Sequence, residues 1–135
     1  MEIKLNIGDP KSGKTVKLVL PEEETKGLMG KRIGASIHGE LIGYAGYEFT
    51  ITGGSDFCGF PMRSDVQGIA RKRIFIGPSV GNRRNERKGL RLRRNVAGNT
   101  VYSKTAQVNL KVLKHGSKPL FKEDKKEESA PKAEE

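Results

Sequence analysis

Residues 82–94 read N-R-R-N-E-R-K-G-L-R-L-R-R, with seven cations against a single acid, Glu86. The cations are Arg83, Arg84, Arg87, Lys88, Arg91, Arg93 and Arg94, so arginine leads lysine six to one. A guanidinium stays charged, offers a planar fork of donors that matches phosphate oxygens, and presents a flat face that stacks on bases. Asn82 and Asn85 add groups that both donate and accept, as base edges and ribose hydroxyls do. Cations crowded this closely repel one another unless an anion screens them. A solvated charge run would account for them in a tail, but here apolar alternation flanks the run on both sides. A second cluster, Arg71-Lys72-Arg73, leads into one such alternation, and Arg63 stands just beyond Phe60-Pro61-Met62. Strand alternation puts Arg71 and Arg73 on one face and Lys72 on the other. Arg63, Arg71, Arg73 and the seven cations of the run are thus the candidate contacts to a polyanion. Lys111, Lys114 and Lys118 read equally well as ordinary surface lysines.

A different chemistry is suggested near the start of the chain. Residues 8–15, G-D-P-K-S-G-K-T, fit the phosphate-loop pattern G-x-x-x-x-G-K-[ST]. A working loop of that kind opens a helix whose N-terminal amides hold the phosphates. Here Val16-Lys17-Leu18-Val19-Leu20-Pro21 follows, which alternates and ends in proline, as a strand does. No apolar strand ending in Asp offers a ligand for Mg²⁺. The expected structure is a hairpin turn, with a phosphate-loop-like nucleotide-binding protein as the alternative. His38, His115 and the lone Cys58 have no spacing that builds a metal or nucleophile site, and Asp56 and Asp65 suit turns. No catalytic residue, no metal, no cofactor and no small-molecule substrate is expected.

The elements that must position the cations are short strands. Ile3, Leu5 and Ile7 alternate with polar residues, as do Val16, Leu18 and Leu20 after the turn. Pro21-Glu22-Glu23-Glu24 suits the start of one short helix, since carboxylates favour a helix N-terminus. Residues 35–42 read as a strand interrupted at Gly39. Tyr47, Phe49 and Ile51 form the cleanest alternation, and Gly53-Gly54-Ser55-Asp56 reads as a tight turn after it. Further strands are expected over residues 69–76, around Leu90 and Leu92, and over Val108, Leu110 and Val112. Residues 77–89 read as a long basic loop. The expected fold is all-β, a small barrel of six or seven short strands with glycine-rich loops and at most one short helix. Residues 1–118 would be that domain, and residues 119–135, drawn mostly from Lys, Glu, Asp, Ser, Ala and Pro, a disordered charged tail.

Charge is segregated along these elements. Residues 1–60 hold 7 basic and 8 acidic groups, residues 61–120 hold 15 and 2, and residues 121–135 hold 4 and 6. A focused positive field attracts polyanions, whereas mixed signs would serve solubility alone. No helical periodicity supplies a major-groove recognition helix or a basic amphipathic helix for a membrane surface. Arg- and Gly-rich loops on a small β domain suit structured RNA, recognised through shape, phosphates and 2′-hydroxyls. A single cysteine and the lack of a long apolar run predict a cytoplasmic protein without disulfides or membrane contact.

Residues 50–63 read T-I-T-G-G-S-D-F-C-G-F-P-M-R. From the residues alone, Gly53 and Gly54 turn the chain, Asp56 accepts backbone N–H groups and Gly59 frees a bend. Phe60, Pro61 and Met62 then plug back onto the barrel. A direct RNA contact by part of this loop is the other reading. The pattern Gly-Gly-x-Asp-x-x-Gly-Phe-Pro-Met resembles the signature of the ribosomal protein S6e family of archaea and eukaryotes. The opening Met-x-Ile-Lys-Leu-Asn-Ile, the arginine run and residues 108–116, V-N-L-K-V-L-K-H-G, are similar to that family as well. The resemblance spans residues 1–118. It implies a β-barrel constituent of the small ribosomal subunit, bound to its ribosomal RNA and to neighbouring ribosomal proteins. A free RNA-binding or chaperone module is the remaining alternative. Eukaryotic members carry a long basic C-terminal helix with phosphorylatable serines. This chain has an acidic tail with only Ser129, so the resemblance is to the short archaeal form, and that switch is not expected.

Overall fold

The computed structural model describes residues 2–83 and 86–121. Its strands are β1 (Ile3–Gly8), β2 (Thr15–Leu20), β3 (Ser36–His38), β4 (Glu48–Asp56), β5 (Lys72–Ile76), β6 (Leu92–Val96) and β7 (Thr105–Lys114). One short helix, α1 (Glu22–Thr25), follows Pro21 and carries three glutamates in its first turn. The all-β class and the lone short helix are as expected. The strands do not close into a barrel. Five form a mixed sheet in the order β2-β1-β7-β4-β3, and β5 and β6 pair as a separate two-stranded ribbon. The edge strand β3 is only three residues long, because Gly39 diverts the chain into a 3₁₀ turn over Gly39–Ile42.

β1 and β2 pair antiparallel from Ile3↔Leu20 to Gly8↔Thr15, so residues 9–14 form a hairpin turn. The Asp9 carboxylate accepts the Lys11 N–H at 2.9 Å across it. The residues after Thr15 are a strand, not a helix, so the phosphate-loop pattern carries no phosphate-loop geometry. β1 also pairs with β7, in parallel, from Lys4↔Gln107 to Gly8↔Lys111. The first and last strands therefore lie side by side at the middle of the sheet.

Alternation decides which face is buried. Ile3, Leu5 and Ile7 of β1, Phe49 and Ile51 of β4, and Val108, Leu110 and Val112 of β7 form one apolar face. Leu28, Met62, Ala97 and Val101 from the connecting segments belong to the same core. Asn6 and Asn109, half-buried, are joined by a 3.0 Å amide hydrogen bond between β1 and β7. Leu120 is 7% exposed and Phe121 packs against the same core. The packed body thus runs past the boundary expected at residue 118. The tail from residue 122 onward, with Ser129, lies outside the described residues.

Three local expectations shift. Over residues 35–42 only Ser36–His38 is strand, since a side chain at Gly39 would meet the Tyr44 carbonyl oxygen at 2.1 Å. The strand expected from Ile69 starts at Lys72, because residues 64–68 wrap around the buried Asn99. Its amide donates to the Ser64 carbonyl at 3.3 Å and accepts the Gly68 N–H at 3.3 Å. Finally, Gly53-Gly54-Ser55-Asp56 is not a turn: β4 continues through it, with register irregularities against β7.

Candidate nucleic-acid interface

The arginine run lies on the ribbon and on the connection between its strands. Arg93 and Arg94 belong to β6, Arg91 precedes it, and Arg83, Arg87 and Lys88 are in the connection. Arg84 lies outside the described residues. The expected long loop begins with a tight reversal, where Ser79 and Asn82 exchange two backbone hydrogen bonds of 3.0 Å. Asn82 is buried there and its amide nitrogen donates to the Gly77 carbonyl at 3.3 Å, while its Oδ1 is buried without a hydrogen-bond partner.

Pairing within the ribbon runs from Lys72↔Val96 to Ile76↔Leu92, with Arg73↔Asn95 and Phe75↔Arg93 between them. Opposed residues share a face. Arg73, Asn95, Phe75 and Arg93 therefore project together, while Ile76 and Val96 alternate to the other side and are buried. Beside the ribbon opens a groove of about 510 Å³. Arg73, Arg83, Arg93 and Arg94 line it with Asn95, Phe60 and Pro61, and no acidic residue contributes. Among the described residues none of these four guanidiniums has an ion-pair partner. Arg87, Lys88 and Arg91 are exposed nearby in sequence.

Arg63 and Arg71 are placed differently. The Arg71 guanidinium grips the Asp56 carboxylate with two nitrogens, forming an ion pair and a second hydrogen bond of 3.0 Å. It lies 4.7 Å from the Phe57 ring centroid and 5.2 Å from that of Phe60. Arg63 pairs with Asp65 and donates to the Ser79 hydroxyl at 2.8 Å and the Val80 carbonyl at 2.7 Å. Both charges are met inside the protein. They tie the signature loop and the 63–65 segment to the base of the ribbon.

The signature loop folds back onto the sheet. The Met62 N–H donates to the Gly54 carbonyl, and the Ala97 N–H donates to the Pro61 carbonyl, each at 2.9 Å. Met62 is buried in the core. Gly59 has φ of 85° and so supplies the bend. Gly53 and Gly54 do not take positive φ. Gly54 is needed for space instead, since an added Cβ would lie 2.3 Å from the Gln107 carbonyl oxygen. Asp56, 2% exposed, also accepts the Cys58 N–H at 2.8 Å. Burial works to raise its pKa, but the Arg71 hydrogen bonds, the Cys58 amide and the Arg71 charge outweigh it and hold the carboxyl below the usual range. A carboxylate whose folded pKa is depressed stabilises the fold above its unfolded value, about 3.9, and loses that contribution as pH falls through the folded value. The urea midpoint should therefore be level above about pH 5 and drop in acid, with Asp56→Asn losing part of that slope. At neutral pH Asp56→Asn should cost about 2 kcal/mol, since Arg71 keeps some contact with water. An unchanged acid limb in Asp56→Asn would remove Asp56 as its source.

Sequence reasoning missed Phe75, an exposed aromatic among the ribbon's arginines. It also missed Gly98, where a side chain would meet the Gly68 carbonyl oxygen at 1.8 Å. Phe75 was legible only as an apolar residue at the polar phase of a strand. Gly98 had no local signal, since its neighbour is distant in sequence.

The family profile of ribosomal protein S6e matches residues 3–123. The chain belongs to the ribosomal protein S6e family. Among similar proteins is the small ribosomal subunit protein eS6 of Nanoarchaeum equitans, 42% identical over 87% of this chain and 86% of that one. The protein of the same name from Thermoplasma acidophilum is 41% identical over 90% of this chain and 95% of its own length. That of Archaeoglobus fulgidus is 42% identical over 89% and 93%. Within this S6e chain the signature glycines, Asp56 and Met62 join the sheet to the ribbon, and the arginines of the groove stand outward from that joint.

Proposed function

We propose that the groove lined by Arg73, Arg83, Arg93 and Arg94 holds ribosomal RNA of the small subunit, with Arg87, Lys88 and Arg91 as further contacts. The chain is a structural constituent of that subunit, as its family is, and not an enzyme. One observation carries the RNA reading: four arginines from β5, its connection and β6 line one groove to which no carboxylate contributes. Such a cluster is stable against its own repulsion when an anion with many phosphates fills it. The apolar wall of Phe60 and Pro61 leaves room for sugar or base as well as phosphate. Arg63 and Arg71 serve this reading from behind, by holding the ribbon to the sheet. The protein is then ribosome-bound in the cytoplasm, with neighbouring ribosomal proteins as its other partners.

The test is a salt titration of the chain's binding to small-subunit ribosomal RNA. With about six phosphate contacts, the logarithm of the association constant should fall with the logarithm of salt at a slope of roughly −4 to −5. A weak association that salt leaves unchanged would overturn the proposal.

A further inference from the structure

Phe75 is 60% exposed and is the fourth of the five residues of β5. Register puts it directly opposite Arg93, with Arg73 and Asn95 one pair further along the same face. On the other side lies Gly77, and the Arg91 Cγ is 4.0 Å from where a Cβ on Gly77 would sit. The ring therefore stands in a gap of low side-chain height between arginines. The other two aromatics near this surface each already have a cation over the ring. Arg71 lies over both Phe57 and Phe60, and Lys104 stands 5.8 Å from the Phe57 centroid. Among the described residues no cation lies over Phe75.

An open aromatic face bordered by guanidiniums is complementary to one chemical group in particular. A nucleobase offers a π-face for the ring, and the phosphates on either side of it reach the flanking cations. A base inside a duplex cannot do this, because its faces are already stacked on its neighbours. We infer that Phe75 is a stacking platform for an unpaired nucleobase of RNA, with Arg73, Arg91 and Arg93 taking the adjoining phosphates. This rests on the RNA reading of the groove and specifies it: the ribbon takes a single-stranded or extruded nucleotide, not only a helix backbone.

The chain contains no tryptophan, so Phe75→Trp introduces a unique indole at this site. Titrated with short single-stranded oligoadenylate, its fluorescence should be quenched as the base stacks, and a blunt RNA duplex should quench it far less. Phe75→Ala should weaken oligoadenylate binding by about tenfold or more while Phe75→Trp preserves it. The salt slope should be the same in Phe75→Ala as in the unaltered chain, since no phosphate contact is lost. The exposed position makes both variants foldable, and circular dichroism checks this. Equal affinity of Phe75→Ala, or equal quenching by duplex, overturns the stacking platform. If Arg93→Glu still weakens binding in that case, the groove reading survives alone. If neither Arg93→Glu nor Phe75→Ala matters, both fall.

Discussion

The triple variant Arg73→Glu, Arg93→Glu and Arg94→Glu no longer associates stably with small-subunit ribosomal RNA at physiological salt, yet folds. Each reversal replaces an arginine that lines the groove by a glutamate, which repels phosphate. At roughly 1.4 kcal/mol or more per reversal, the three together reach a thousandfold or greater loss of affinity. Any residual binding should have a salt slope shallower by about 2–3, the share of three phosphate contacts. The fold should survive because all three side chains are exposed and unpaired among the described residues. Exposed substitutions of this kind cost about 0.5 kcal/mol or less each. Filter binding, sedimentation with small subunits and a thermal melt check the three parts. Normal incorporation of the variant would show that this surface is not where RNA is held. Arg71→Glu is the contrasting variant: it sets a carboxylate against the buried Asp56 and should lower stability instead.

A second large effect belongs to Gly54→Ala, and it acts on stability alone. A Cβ at residue 54 would lie 2.3 Å from the Gln107 carbonyl oxygen and 3.0 Å from the Met62 sulfur. The first contact is with backbone of the adjacent strand, Gly54↔Val108 being paired there, so no rotamer change relieves it. β4 and β7 must separate at the centre of the sheet, at a cost of about 3 kcal/mol. For a domain of this size that lowers the thermal midpoint by about 10–15 °C. Gly53→Ala is the control beside it. No atom lies within 4 Å of its added Cβ, and its φ is not positive, so it should be close to neutral. Similar melts for the two alanine variants would refute the close-approach explanation.

The two variants separate the parts of this molecule. The sheet, the signature loop and the Asp56–Arg71 pair form a scaffold that sets where the ribbon stands. On the function proposed above, the groove arginines and Phe75 act on a partner and contribute little to holding the scaffold together. A lesion in the first set should lower the amount of folded protein. A lesion in the second should leave folded protein that does not bind.

Much of this was present in the order of residues. Ile3, Leu5 and Ile7, Phe49 and Ile51, and Val108, Leu110 and Val112 are buried as their alternation requires, because period two is a property of each strand alone. Pro21 stops β2 for an equally local reason. The density of arginine at residues 82–94 and the glycine-aromatic signature are likewise features of the chain itself, and with them came the family. What only the tertiary structure decided was every relation between distant residues. Asn6 and Asn109 are 103 positions apart and touch, because β1 lies parallel to β7. Alternation says which side of a strand faces the core, but not which strand lies next to it. Arg71 and Arg73 look alike in the sequence, yet Asp56 neutralises one and the groove keeps the other. Coulomb attraction depends on distance through space, which chain separation does not set. Gly54 reads as a turn, and only the approach of Gln107 shows that its task is to make room.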